Sequence, residues 1–327
     1  MTLPMQTGEL TNGDASIPVV SVIILYYKRA ETIRETLDSV LRQDFAPFEV
    51  IVVDNHSEDG LADLIHTKYP RCHYIELPKN VGACAGRNVG LRAAVGEFLV
   101  FLEDDVSFAS PFELSKMVAA WRDHPEVQVL AFQVCDPDTG KLRLREWCHP
   151  RYWRDFSESE FETWWFGEGA AAFRREVFEV CDPYYEPLFY GAEGDDLVIR
   201  LFNEGFRILH TPHVRVGHRA SEQGRSSERQ YYYFTRNYFW IAYKDFRFFD
   251  SIVYLLPKLM MMSYFTVRTK AFRPFLRGIR DGITGLRHIR NHRTPATPAA
   301  VAYLHDLGKW RPNLFVRLAR HKTAPQL

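Results

Sequence analysis

Residues 99–106 read Leu99-Val100-Phe101-Leu102-Glu103-Asp104-Asp105-Val106, an apolar, strand-like run that stops on three consecutive acids. Three carboxylates at one point repel each other unless a cation sits among them, and hard divalent ions prefer oxygen ligands. On its own, such a triplet also reads as a solvated acidic loop. A second acidic group, Glu193, Asp195 and Asp196, opens a stretch in which Leu197, Arg200 and Leu201 have helical spacing. Carboxylates can act as general acids or bases. Asp196 and Arg200 lie four apart, the spacing of a structural ion pair. His218 adds an imidazole that can serve as a metal ligand.

These groups need a frame. Val19 to Tyr26 is a continuous β-branched and aliphatic run, as in a parallel strand covered on both faces. Residues 30–43 carry Ile33, Leu37, Val40 and Leu41 at helical spacing. Val50-Ile51-Val52-Val53 reads as a second strand ending at Asp54, residues 61–65 as a helix, 73–77 as a third strand, 83–95 as a helix of small residues and 97–102 as a fourth strand. This alternation predicts parallel βαβ units, and such open sheets hold their ligands at the carboxyl ends of the strands. After residue 135 the regularity fades. A helix is expected over 193–204, then short strands near 206–209 and 213–216. Residues 228–290 are aromatic, basic and helix-like, and residues 221–227 look like a linker.

The apolar fraction of 46% permits a full core. Five cysteines, with no CxxC pair, indicate neither a disulfide framework nor a zinc site; each is expected to be a small buried residue in a reducing compartment. The polar stretch from Met1 to Ser16 reads as a disordered leader without a signal peptide. The longest apolar stretch, 252–267, is broken by Pro257 and Lys258 and falls short of a membrane span. The net charge of zero hides an asymmetry. Residues 258–327 hold fourteen Lys or Arg against two acids, which suits an anionic partner.

Four motifs fall at strand ends in order: Tyr26-Tyr27-Lys28-Arg29, then Asp54-Asn55-His56-Ser57-Glu58-Asp59-Gly60, then residues 80–90 with Gly82, Gly86, Arg87 and Asn88, then Glu103-Asp104-Asp105. In this order and spacing they resemble the family 2 glycosyltransferases of the GT-A fold, over residues 18–220. The resemblance implies an α/β, Rossmann-like, mostly parallel sheet flanked by helices. The helix-like region that follows makes an α-helical C-terminal extension. The expected division is a leader at 1–17, the GT-A domain at 18–221 and a helical basic and aromatic region at 222–327.

By this resemblance Asp54 contacts the nucleobase or ribose of a nucleotide-sugar donor; its other reading is a helix N-cap. Tyr27, Arg29, Asn55, Gly82, Arg87, Asn88, Glu103 and Asp104 are implied to line the donor, with helix packing as the other reading of the glycines. Glu103-Asp104-Asp105 matches the DxD motif with Glu for the first Asp. Asp105 is then the ligand of Mg2+ or Mn2+, and His218 binds the metal or the diphosphate. The family's Glu-Asp-x-Asp-Leu-x-x-Arg segment matches Glu193 to Arg200, with Gly194 where many members carry the catalytic base. Asp195, Glu193 and Asp196 are the remaining candidates. Trp164 and Trp165 are acceptor-site candidates, with packing as the alternative.

The expected activity is metal-dependent, inverting sugar transfer to a saccharide or lipid-linked acceptor in cell-surface polysaccharide or glycolipid synthesis. A non-catalytic scaffold and a nucleotidyltransferase are the alternatives, the latter disfavoured by the lack of glycine in Tyr26-Tyr27-Lys28-Arg29. The expected location is cytoplasmic, with the basic region lying on the anionic inner face of the membrane. A helical cap or homo-oligomer interface is the other reading of that region, and nucleic acid is not expected as a partner.

Overall fold

The computed structural model describes residues 19–219 and 227–308. The expected leader lies outside the described residues, as does most of the expected linker. The chain runs β1 (Val20–Tyr26), α1 (Ile33–Leu41), β2 (Phe48–Asp54), α2 (Leu61–Lys68), β3 (His73–Glu76), α3 (Gly82–Ala93), β4 (Phe98–Glu103), β5 (Val106–Phe108), α4 (Glu113–Asp123) and β6 (Val129–Cys135). After a 3-10 turn at Leu144–Glu146 come α5 (Trp153–Phe156), β7 (Phe161–Glu162), β8 (Ala170–Arg174), α6 (Glu176–Val180) and α7 (Glu193–Asn203). Then follow β9 (Ile208–His218), α8 (Ser227–Asp245), α9 (Phe248–Thr269), α10 (Phe272–Thr284), α11 (Leu286–Ile289) and α12 (Pro298–Gly308).

The sheet has the order β3-β2-β1-β4-β8-β6-β9-β5, with β7 on β9. β3, β2, β1 and β4 are mutually parallel. β8 enters antiparallel between β4 and β6, and β6 runs parallel to β9. The continuous apolar runs follow from burial of both faces. Val20, Val22 and Ile24 of β1 enter the core with α1, α2 and α4. Ile23, Ile51, Val53, Leu99 and Phe101 point the other way, into a core shared with α3, α7 and the C-terminal helices. This is the two-residue period of a strand.

Two short strands are expected between 206 and 216, yet one strand spans Ile208–His218. Its register on β6 jumps from Phe132↔Thr211 to Gln133↔Arg215. Pro212, which lacks an N–H, falls in that irregularity, and the strand continues past it to deliver His218. Four cysteines are buried as expected, but Cys148 is exposed in the irregular stretch after the 3-10 turn.

The C-terminal helices pack on the sheet domain: Tyr231, Tyr238, Ile241, Met262, Ala300 and Leu307 belong to the same core as Leu197 and Leu201 of α7. From α8, the Asn237 amide donates to the carbonyls of Leu188, Tyr190 and Gly191, and Arg236 donates to those of Pro187 and Leu188. α8 thus fixes the loop that launches α7, as the cap reading of this region requires.

Candidate active site

The carboxyl ends of β1, β2 and β4 lie side by side, because Tyr26 pairs with Asp54 and Leu25 with Glu103. β5 turns back after Asp105 and pairs Val106 with His218, bringing the end of β9 to the acidic triplet. Single ligand atoms of Glu103, Asp105 and His218 all lie within 4.8 Å of one another. His218 Nε2 is 3.4 Å from Asp105 Oδ2, and its Nδ1 is 2.7 Å from Glu146 Oε1. A carboxylate behind the far nitrogen fixes the ring and its tautomer, as in many metal-binding imidazoles. Burial disfavours the charged ring, but the bonds to Asp105 and Glu146 outweigh it and raise the His218 pKa to about 9. Two carboxylates and the imidazole, once it gives up its proton, would form a donor set that fits Mn2+ or Mg2+.

Arg29 binds Asp104 and Asp105 of the same triplet. Its Nη1 lies 2.8 Å from Asp104 Oδ1 and 2.7 Å from Asp105 Oδ2. Asp104 also accepts the Tyr27 N–H at 2.9 Å. Burial pushes the Asp104 carboxyl up to about 7 against the pull of Arg29. The structure therefore uses Asp104 to lock the loop after β1, with Tyr27 and Arg29 arranged around it.

The second and third motifs are largely turned inward. Asp54 is buried, accepting the Ser57 N–H at 2.9 Å and the Tyr74 hydroxyl at 2.8 Å. That is a turn-forming role close to the capping alternative. Asn55 ties the loop before α3, donating to the Gly82 carbonyl and accepting from the Val81 N–H. Gly82 has φ +87°, and a Cβ there would fall 2.3 Å from the Phe189 carbonyl oxygen, so glycine is required for close packing. Asn88 is buried and clamps the segment before α7 by bonds to both backbone groups of Tyr184 and to Glu186. Arg87 is also buried, bridging Glu103 at 3.0 Å and Glu193 at 2.9 Å. The side chains of Asp54, Asn55, Arg87 and Asn88 are thus held by contacts within the protein.

At the start of α7 the three candidate acids diverge. Asp196 is fully buried, 2.7 Å from both Arg200 and Lys244, and these cations overcome burial to hold its pKa down to about 2. It is a structural ion-pair partner and not a group that can meet a substrate, which corrects its place among the catalytic candidates. Asp195 reaches α9, 2.6 Å from Lys258 Nζ and 2.8 Å from the Tyr254 hydroxyl. Lys258 is therefore turned toward the site, not toward a lipid surface. Glu193 is engaged by Arg87.

Two residues here escaped sequence reasoning. Glu168, in the turn before β8, accepts the Gly194 N–H at 3.0 Å. Burial, reinforced by Glu193, pushes its carboxyl up to about 8. An acid flanked by Gly167 and Gly169, together with the glycine at 194, was the available signal. Glu146, behind His218, lies in a turn with no distinguishing pattern. Trp164 and Trp165 are half-buried: Trp165 packs edge-on against His149 at 4.9 Å, and Trp164 packs on the core beside Gly308.

Residues 21–181 match the sequence model of Glycosyl transferase family 2. The O-antigen biosynthesis protein RfbC of Myxococcus xanthus is 26% identical over 253 residues, which cover 70% of this chain and 19% of that protein. The putative teichuronic acid biosynthesis glycosyltransferase TuaG of Bacillus subtilis is 37% identical over 91 residues, 27% of this chain and 36% of TuaG. The matched stretch is thus a minor part of each of these relatives. The mannosyltransferase PcManGT from Pyrobaculum calidifontis, solved with GDP-Man and Mn2+, superposes with a TM-score of 0.56 at 19% identity, over 94% of this chain and 84% of that one. That likeness establishes the GT-A fold.

Proposed function

This chain belongs to the family 2 glycosyltransferases through its residues 21–181, and from that premise we propose that it transfers a sugar, with inversion, from a nucleotide-diphosphate donor to a hydroxyl acceptor in cell-surface polysaccharide or glycolipid synthesis. The observation that carries this reading is the convergence of Glu103, Asp105 and His218 at the carboxyl ends of β4 and β9. These three would hold Mg2+ or Mn2+, which when bound supplies positive charge to the departing diphosphate. Arg29 holds Asp104 and Asp105 in place despite their mutual repulsion. Arg87 ties Glu103 at the end of β4 to Glu193 at the start of α7. Asp54 sets the loop after β2 and keeps lone pairs that can accept from a nucleobase or ribose. Arg229 lies over the rings of Tyr27, Phe189 and Tyr190. The names of the relatives in O-antigen and teichuronic acid synthesis support the polymer class of the product.

The C-terminal helices suit an acceptor held at an anionic membrane surface. Phe249, Val253, Leu256, Met260, Tyr264 and Val267 form an exposed stripe along α9, continued by Phe272 and Leu276 of α10. Arg268, Lys270, Arg273 and Arg277 are exposed beside it. An apolar stripe flanked by cations is the pattern of a helix lying in the headgroup region. Among the described residues, no helix is long and apolar enough to cross a membrane. The test of the proposed function is nucleoside diphosphate release across a panel of UDP-, dTDP- and GDP-sugars with candidate acceptors, followed by the anomeric configuration of the product by NMR. Retention of configuration would refute the inverting reading, and no release from any donor would refute transfer.

A further inference from the structure

Glycosyl transfer to a hydroxyl needs a group that takes the acceptor's proton, and the position at which the family pattern carries an acid is Gly194 here. Its neighbours are committed elsewhere: Asp195 to Lys258 and Tyr254, Asp196 to Arg200 and Lys244, Glu193 to Arg87. The space beside Gly194 is nevertheless filled by a carboxylate. A Cβ built on Gly194 would lie 2.7 Å from Glu168 Oε1, close to the distance between an aspartate's Cβ and its own carboxylate oxygen. The Gly194 N–H holds that oxygen at 3.0 Å. The turn that carries Glu168 also abuts the metal-holding acid, since a Cβ on Gly169 would fall 2.6 Å from Glu103 Cγ. Glu168 as a residue is half-buried, although its carboxyl is desolvated.

Resting on the proposed function, we propose that Glu168 is the catalytic base, its carboxylate standing in space for the acid that the chain lacks at 194. The acceptor oxygen forms its bond to the anomeric carbon as the bond from that carbon to the donor phosphate oxygen breaks. The electron pair leaves with the nucleoside diphosphate, and the acceptor proton passes to Glu168. The absence of a side chain at 194 is then a requirement: any Cβ there would displace the carboxylate.

The proposal is tested on the full chain with whichever UDP-, dTDP- or GDP-sugar the wild type turns over. Glu168→Gln keeps an oxygen for the Gly194 N–H but cannot take a proton. It should lower kcat by about 100-fold or more while leaving the donor KM within about threefold. Gly194→Ala should also lower kcat, and should add nothing in a Glu168→Ala background. Glu168→Ala combined with Gly194→Asp returns a carboxylate to the same space and should recover at least about tenfold over Glu168→Ala alone. A helix-capping role without chemistry predicts a lowered melting temperature for Glu168→Ala and no recovery in the double variant, which would overturn the proposal. Near-wild-type kcat in Glu168→Gln would overturn it as well. A wild type that turns over no donor would instead overturn the glycosyltransferase reading on which the base depends.

Discussion

Replacing Arg87 by Met isolates the interaction that joins the two halves of the site. Arg87 is buried between Glu193, whose side chain is 6% exposed, and Glu103, at 34%. Glu193 would be left as a buried, unpaired carboxylate, a loss of about 3–5 kcal/mol for breaking a buried pair from one side. The half-exposed Glu103 contact adds at most about 1 kcal/mol after solvent screening. At roughly 2–4 °C per kcal/mol for a domain of this order of size, the melting temperature should fall by roughly 6–24 °C. Urea unfolding followed by circular dichroism gives the free energy, and the Arg87→Met/Glu193→Gln double variant closes a cycle. Removing both charges should recover part of the loss, with a coupling of at least about 1.5 kcal/mol. A loss below about 1 kcal/mol for Arg87→Met, or strictly additive effects, would refute the claim that this arginine ties the acidic strand end to α7.

Two further outcomes follow from other parts of the molecule. His210 is buried in the aromatic cluster of Trp147, His149 and Phe161, and burial lowers its pKa to about 3. The unfolded chain therefore binds a proton below about pH 6.5 that the folded chain refuses, so this residue removes stability as the pH falls from there toward 3, by up to about 1.4 kcal/mol per unit. His210→Phe should flatten the stability profile between pH 6 and 4 by that slope relative to wild type, and parallel profiles would contradict it. On α9, Leu256→Glu with Met260→Glu places two charges on exposed positions and should abolish co-sedimentation with phosphatidylserine-containing vesicles at low salt without lowering the melting temperature. Wild-type protein that ignores such vesicles would refute the lipid-facing role of the stripe.

The βαβ half of the fold was legible because its signals are local. Val50 to Val53 is apolar throughout and Val20 to Tyr26 is apolar but for Ser21, because both sheet faces are covered, and the motifs at their ends follow directly. The acidic triplet, Asp105 and His218 were legible for the same reason, since each ends a strand. What was not legible depends on partners distant in sequence. Whether Asp195 faces solvent or an ion pair is decided by Lys258, 63 residues away, and by the packing of α9 on α8. Arg87 and Asn88 match the motif by type, yet their side chains are claimed by Glu193 and Tyr184, about a hundred residues on. Glu168 meets Gly194 only because β8 enters the sheet antiparallel beside β4, a pairing that residue patterns between 135 and 193 do not encode. The continuity of β9 through Pro212 was hidden by the proline itself.

In the proposed function, Glu103, Asp105 and His218 hold a divalent ion required for sugar transfer. The most direct test is nucleoside diphosphate release by the wild type after exhaustive dialysis against EDTA, with Mn2+ or Mg2+ then added back, alongside Asp105→Ala under the same conditions. Chelation should abolish release, the ion should restore it, and Asp105→Ala should stay inactive at any ion concentration. Full activity in EDTA, or an Asp105→Ala variant that works as well as wild type, would contradict this requirement.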